Sequence, residues 1–100
     1  MAVELTGEEL FDSYSGLHES EYDGQMVTVT GRVIYVGPDY YGLPSIELGN
    51  PNDDKTWVAC VVDSTGDVAT GNTITITGSS EGFTRGMVVL KHCYDLKIVE

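Results

Sequence analysis

The chain has 100 residues, 41% of them apolar, and its sixteen acidic and five basic residues give a formal net charge of −11. This length fits one domain with one core, and the composition excludes collagen-like, disordered and disulfide-dense chains. The acidic excess argues against nonspecific nucleic-acid binding, because such binding depends on lysine and arginine at the phosphates.

The N-terminal segment is predicted to be a helix that ends at Asp23-Gly24. Thr6 can cap it, and Glu9 three residues later completes a capping box. Apolar side chains then fall close to one face at a 3.6-residue period: Leu10, Tyr14, Leu17 and Tyr22. We expect residues 1–24 to form this helix, packed on a barrel made by residues 25–100.

From Met26 onward the apolar period changes to two, which is typical of strands. Five strands are predicted, at residues 26–36, 45–48, 56–63, 73–77 and 87–99. Residues 24–31 (GQMVTVTG) and 71–78 (GNTITITG) echo each other, and each final glycine predicts a bend. Because closure removes exposed edges, five bent strands favour a small closed barrel over a sandwich, which usually needs more strands.

The order of four short motifs resembles a known family. The motifs are G-x-x-V-x-V-T-G, V-x-C-V at 58–61, G-N-x-I-T-I-x-G and V-x-L-x-x-C-x-x-L at 88–96, and Tyr22 precedes Gly24 by two residues. Together they resemble the bacterial OB-fold family called tRNA_anti-like, over almost the whole chain. The resemblance implies an all-β fold with one N-terminal helix and a five-stranded OB-fold Greek-key barrel. Such sequences often place lysines around the Tyr-x-Gly, whereas this chain has Glu21, Asp23 and Gln25 there.

Aromatic residues give the candidate binding site. OB folds usually bind ligands over their second and third strands, between the loops joining strands 1–2 and 4–5. Residue types common in binding hot spots occur there, and the candidate contacts are Tyr40, Tyr41, Trp57, Phe83 and Arg85. In the other interpretation, Trp57 and Phe83 plug the barrel ends and the tyrosines cover loops. Base stacking would use the same rings, but only Arg32, Lys55 and Arg85 could accompany it.

Acidic residues concentrate at the N-terminus, where residues 1–25 hold seven acids and no lysine or arginine. The candidate acidic surface comprises Glu8, Glu9, Asp12, Glu19, Glu21 and Asp23. It is either a solvated face that aids solubility or a surface that meets a basic partner.

Residues able to perform catalysis or hold a metal are few. His18 and His92 are the only histidines, and strand alternation predicts that His92 and Cys93 face opposite sides. Asp53-Asp54 could touch calcium, but no ligand spacing supports a dedicated metal site. We therefore expect no catalytic residue, no metal and no cofactor.

Cys60 and Cys93 lie in apolar strands that are neighbours in an OB barrel. They are either reduced and buried or, outside the cytosol, joined by a disulfide. A catalytic or metal-bound role is the remaining alternative.

The sequence therefore predicts a non-enzymatic OB-fold module that binds a protein or peptide. One alternative is an acidic inhibitor that mimics nucleic acid and occupies a basic protein groove, and the other is a single-stranded nucleic-acid binder. The longest apolar run, residues 57–62, is too short for a membrane helix, and Met1–Glu4 lacks signal-peptide features. We expect a cytoplasmic protein if the chain is complete and an exported one if a targeting segment was trimmed.

Overall fold

The computed structural model of the protein describes residues 2–14, 20–50, 52 and 55–99. Its elements are β1 (Val3–Thr6), α1 (Gly7–Tyr14), β2 (Met26–Pro38), β3 (Pro44–Asn50), β4 (Lys55–Val61), β5 (Thr73–Thr84) and β6 (Met87–Ile98). The five predicted strands correspond to β2–β6. Within the described ranges, no helix has the length and apolar character needed to cross a membrane.

Strand β2 closes the barrel because it pairs with two partners in succession. Residues 26–32 pair antiparallel with β5, and residues 33–38 pair antiparallel with β3. The order around the barrel is β2-β3-β4-β6-β5 and back to β2, with β4 and β6 running parallel where Val58–Cys60 face Val88–Leu90. The predicted five-stranded OB-fold barrel is confirmed.

The echoed segments pair with each other, since they form the antiparallel contact between β2 and β5. A Cβ on Gly31 would lie 3.2 Å from the Leu48 Cβ, and a Cβ on Gly78 would lie 2.9 Å from both Cys93 Sγ and Leu90 Cγ. A side chain at Gly78 would therefore displace packed atoms, whereas a Cβ at Gly31 would need the Leu48 side chain to shift by only a few tenths of an ångström.

The core fills the barrel with the apolar residues that alternate along its strands. Its fully or almost fully buried members on β2–β6 are Val27, Val29, Val33, Ile46, Leu48, Val58, Cys60, Ile74, Ile76, Val88 and Leu90. Helix α1 adds Leu10 and Tyr14, both with no exposed surface. The helix is therefore held by tertiary burial, as its modest intrinsic propensity requires.

The predicted capping box is confirmed. The Thr6 N–H donates to Glu9 Oε1 at 2.8 Å, and the Glu9 N–H donates to Thr6 Oγ1 at 3.1 Å. A short strand that the pattern did not predict, β1, leads into the cap and pairs parallel with β2.

The prediction that the helix continues to Gly24 is wrong, because the described residues before Gly24 are not helical. Helix α1 covers Gly7–Tyr14 and residues 21–24 form a turn, while Leu17 lies outside the described residues. Serine side chains satisfy the backbone locally: Ser13 Oγ donates to the Leu10 carbonyl at 2.7 Å, and Ser20 Oγ accepts the Tyr22 N–H at 3.1 Å. Such bonds compete with helical ones.

Candidate ligand-binding site

A cleft of about 730 Å³ lies on the outer face of β3, β4 and β6. Residues 39–43, which join β2 to β3, border it on one side, and the turn between β5 and β6 borders it on another. Its floor consists of residues that alternate with the core residues along the strands: Ser45, Glu47, Ala59, Val61 and Val89. This volume is within the range of small-ligand and peptide-side-chain pockets.

The β2–β3 loop is held by one carboxylate. Asp39 Oδ1 accepts the N–H groups of Tyr41 at 2.8 Å and Leu43 at 2.9 Å, and the Asp39 N–H donates to the Leu43 carbonyl at 2.8 Å. Tyr40 and Tyr41 project from this loop with 75% and 78% of their surfaces exposed. Their rings meet edge to face with centroids 5.4 Å apart, so the loop presents a preformed aromatic surface.

The β5–β6 turn aims a cation at that surface. Arg85 and Gly86 form a two-residue turn between the paired Thr84 and Met87, with φ values of 57° and 80°. Two successive positive φ values are typical of a type I′ hairpin turn. The Arg85 guanidinium carbon lies 3.9 Å from the centroid of the Tyr40 ring, a cation–π contact between the two loops.

The floor of the cleft combines apolar and polar groups. Glu47 is half-buried and accepts a hydrogen bond from Thr56 Oγ1 at 2.8 Å. Ser45 is fully buried, and its hydroxyl oxygen has no hydrogen-bond partner. Ala59 is paired with Glu47 on one side and Val89 on the other. Its small side chain leaves space above the centre of the sheet.

The family model for tRNA_anti-like domains matches residues 5–94 of the chain. The chain belongs to this family. It is an OB-fold family of the binding type, which agrees with the barrel described above. No curated protein matches the chain significantly.

The tRNA_anti-like domain brings together three of the five predicted contact residues, because Tyr40, Tyr41 and Arg85 all line the cleft. Trp57 and Phe83 do not line it.

Both of these rings lie against helix α1. Phe83 packs on Phe11 and Tyr14 with ring centroids 5.6 and 5.9 Å apart. A Cβ on Gly7 would lie 3.6 Å from Trp57 Cε3. The two residues therefore hold the helix against the barrel. The sequence shows only that both side chains are apolar, which does not distinguish packing against a helix from contact with a ligand.

The charges around the cleft of the tRNA_anti-like domain are mixed. Among the described residues, its lining carries four carboxylates, Asp39, Glu47, Asp63 and Glu81, and two permanent cations, Arg85 and Lys91. The other two cations considered from the sequence lie elsewhere: Arg32 is outside the lining, and Lys55 Nζ lies 4.6 Å from the centroid of the Phe11 ring.

Sequence reasoning missed Ser45 and Glu47 as site residues. The pattern S-I-E-L at residues 45–48 alternates, and this alternation could have placed both polar residues on the face opposite Ile46 and Leu48. Their relation to the cleft depends on the pairing of β3 with β4, which no local signal specifies.

The cysteines of the tRNA_anti-like domain are free thiols, with Cys60 buried and Cys93 half-buried. Cys93 lines the cleft, and its thiol donates weakly to the Leu90 carbonyl at 3.4 Å. Hydrogen bonding with Cys93 raises the pKa of Cys60 well above its ordinary value, and burial and the nearby Glu47 charge raise it further. Cys60 is therefore a protonated, unreactive thiol at neutral pH.

Strand β6 is irregular at His92, where φ is 55° and the register against β5 shifts by one residue, as at a β-bulge. Cys93 packs against the core and His92 is exposed, and both residues border the cleft. That the two side chains face opposite sides stays a prediction.

The remaining predicted residues are distributed as follows. Glu8, Glu9, Asp12, Glu21 and Asp23 are exposed on α1 and the turn that follows it. Glu19, His18 and Asp53-Asp54 lie outside the described residues. In the part of the chain that the structure describes, no three His, Cys, Asp or Glu side chains cluster closely enough to hold a metal ion.

Proposed function

We propose that the protein is a non-enzymatic binding module whose cleft takes an extended segment of a partner protein. The observation that carries this proposal is the pair of exposed tyrosines, Tyr40 and Tyr41, on a hydrogen-bonded loop beside an open cleft. Rigid tyrosines provide large contact areas at a low cost in conformational entropy.

The floor supports a peptide ligand because it is mainly apolar. Ala59, Val61 and Val89 lie along neighbouring strands, with Met87 and Leu43 at the sides. A partner side chain inserted between the tyrosines and this floor would bury apolar surface at the centre of the interface, where hot spots concentrate.

The charges favour a protein ligand over nucleic acid. In the described part of the chain, four carboxylates line the cleft, and one of the two permanent cations there, Arg85, already contacts Tyr40. Stacking of bases on the tyrosines would bring phosphates towards these carboxylates, with few cations to neutralise them.

A random peptide library displayed against the full chain tests the proposal. Selected peptides should lose about 2 kcal/mol or more of binding free energy with Tyr40→Ala or Tyr41→Ala, as hot-spot residues do. Tyr94→Ala is the matched control, because Tyr94 is also exposed, at 57%, and does not line the cleft. A library that yields no binder, or binders indifferent to both tyrosine variants, would contradict the proposal.

The acidic surface supports a second candidate, docking into a basic groove that normally holds nucleic acid. The five described acids of this surface are exposed, and no lysine or arginine occurs in residues 1–25. Glu8→Gln with Glu21→Gln should abolish binding of a basic partner in this case, whereas Tyr40→Ala should not. Labelled oligothymidine at low salt tests the nucleic-acid alternative, which requires affinity that falls steeply as salt rises.

A further inference from the structure

Glu47 is a carboxylate in the floor of the cleft. It is half-buried and accepts a hydrogen bond from Thr56. No salt bridge joins Glu47 to a lysine or arginine of the described residues. A carboxylate partly removed from water is stabilised by an opposite charge more than an exposed one is.

Ser45 provides a second, independent observation at the same place. It lies two residues before Glu47 on β3, and both residues line the cleft. Its side chain is completely buried, yet its hydroxyl oxygen has no hydrogen-bond partner in the structure. Buried hydroxyl groups nearly always have a partner, so a polar group of the ligand is the natural one.

The surface next to Glu47 suits a long aliphatic stem. Ala59 lies between Glu47 and Val89 in the sheet, and Val61 follows on the same strand. Lysine and arginine bury their methylene stems on apolar surface while their charged ends reach a polar partner. The floor thus combines apolar surface that the methylene stem can contact, the Glu47 carboxylate for the charged end and the Ser45 hydroxyl as a hydrogen-bond acceptor beside it.

We propose that the cleft recognises a lysine or arginine of the partner segment, which pairs with Glu47 and donates a hydrogen bond to Ser45. This inference rests on the proposed peptide-binding function and specifies its ligand. The further carboxylates around the cleft, Asp39, Asp63 and Glu81, favour the same basic ligand through their field.

The test uses peptides selected on the full chain from a random library. We expect them to share a lysine or arginine at one fixed position. Replacing that residue with methionine should weaken binding to the wild type about tenfold or more, as loss of a charge-assisted hydrogen bond does.

Glu47→Gln supplies the decisive comparison, because glutamine can still accept the Thr56 hydrogen bond. This variant should bind the basic and the methionine peptide equally, while Ser45→Ala should weaken the basic peptide alone. Glu4→Gln removes the same charge from exposed β1, outside the cleft, and should preserve the tenfold preference. Thermal unfolding of each variant checks that its fold is retained.

Two different failures can be distinguished. Peptides that bind through Tyr40 without a basic residue, or a preference that survives Glu47→Gln, would overturn this inference and leave the proposed function standing. Absence of any peptide that depends on Tyr40 would overturn both.

Discussion

The guanidinium carbon of Arg85 lies 3.9 Å from the centroid of the Tyr40 ring. Arg85 belongs to the β5–β6 turn and Tyr40 to the β2–β3 loop, so this contact joins the two loops that frame the cleft. The position has a conformational cost, because Arg85 has φ 57°, a region that residues other than glycine, asparagine and aspartate rarely adopt.

Arg85→Asn should separate stability from binding. Asn-Gly is the favoured sequence for a type I′ turn. The free energy of unfolding of Arg85→Asn should therefore be higher than that of Arg85→Ala by roughly 1 kcal/mol. Both variants lose the cation over Tyr40 and should bind selected peptides equally weakly. Urea unfolding and fluorescence anisotropy measure the two quantities. If Arg85→Asn kept wild-type affinity, the contact with Tyr40 would have no role in the site.

The strands were predictable because their signals are local. Alternation along residues 26–36 and the turn residues around Gly37 specify β2 without knowledge of its partners, and the Thr6–Glu9 box specifies the start of α1. The end of β5 was not predictable, because Ser79 and Ser80 are polar yet buried. Their burial depends on partners distant in sequence, such as the Tyr14 hydroxyl 2.6 Å from Ser80 Oγ.

The residues of the candidate site also fall into those that the sequence could predict and those that it could not. Tyr40, Tyr41 and Arg85 could be proposed because fold-level knowledge says which loops frame an OB cleft. Ser45 and Glu47 required the strand register, and the irregularity of β6 at His92 was not predicted.

Tyr14→Phe should destabilise the protein because it leaves the buried Ser80 hydroxyl without its hydrogen-bond partner. The Tyr14 hydroxyl bonds to Ser80 Oγ at 2.6 Å and donates to Asp23 Oδ1 at 3.2 Å. Because Ser80 is fully buried, its unpaired hydroxyl should cost about 1–3 kcal/mol. Adding Ser80→Ala removes that hydroxyl, so the double variant should be less destabilised than the sum of the single ones. Strict additivity in urea unfolding would contradict this coupling.

Stability should fall in alkaline solution. Burial raises the pKa of Tyr14 above 10.0, and hydrogen bonding with Cys93 together with burial raises the pKa of Cys60 above 9.0. The unfolded chain therefore loses these protons first, and the free energy of unfolding decreases as pH rises from about 9 upward. Cys60→Ala should flatten the first part of this decrease and Tyr14→Phe the part above about 10. Urea unfolding at a series of pH values measures how the free energy of unfolding decreases. If both variants showed the same dependence on pH as the wild type, the assignment of this decrease to Cys60 and Tyr14 would be contradicted.

The two cysteines should differ sharply in reactivity. Cys93 is half-buried and lines the cleft, whereas Cys60 is buried and its pKa is raised. Since only an accessible thiolate reacts, iodoacetamide should add once to the native protein, at Cys93, and reach Cys60 only after unfolding. Mass spectrometry of digested protein identifies the site, and Cys93→Ser should remove the native adduct. Initial labelling at Cys60 would contradict the prediction.

Alkylation of Cys93 by iodoacetamide also measures whether a peptide occupies the cleft. A selected peptide should slow alkylation of Cys93 in proportion to occupancy, and it should lose this effect in the Tyr40→Ala variant at equal peptide concentration. Peptide binding that leaves the Cys93 rate unchanged would place the ligand away from this end of the cleft.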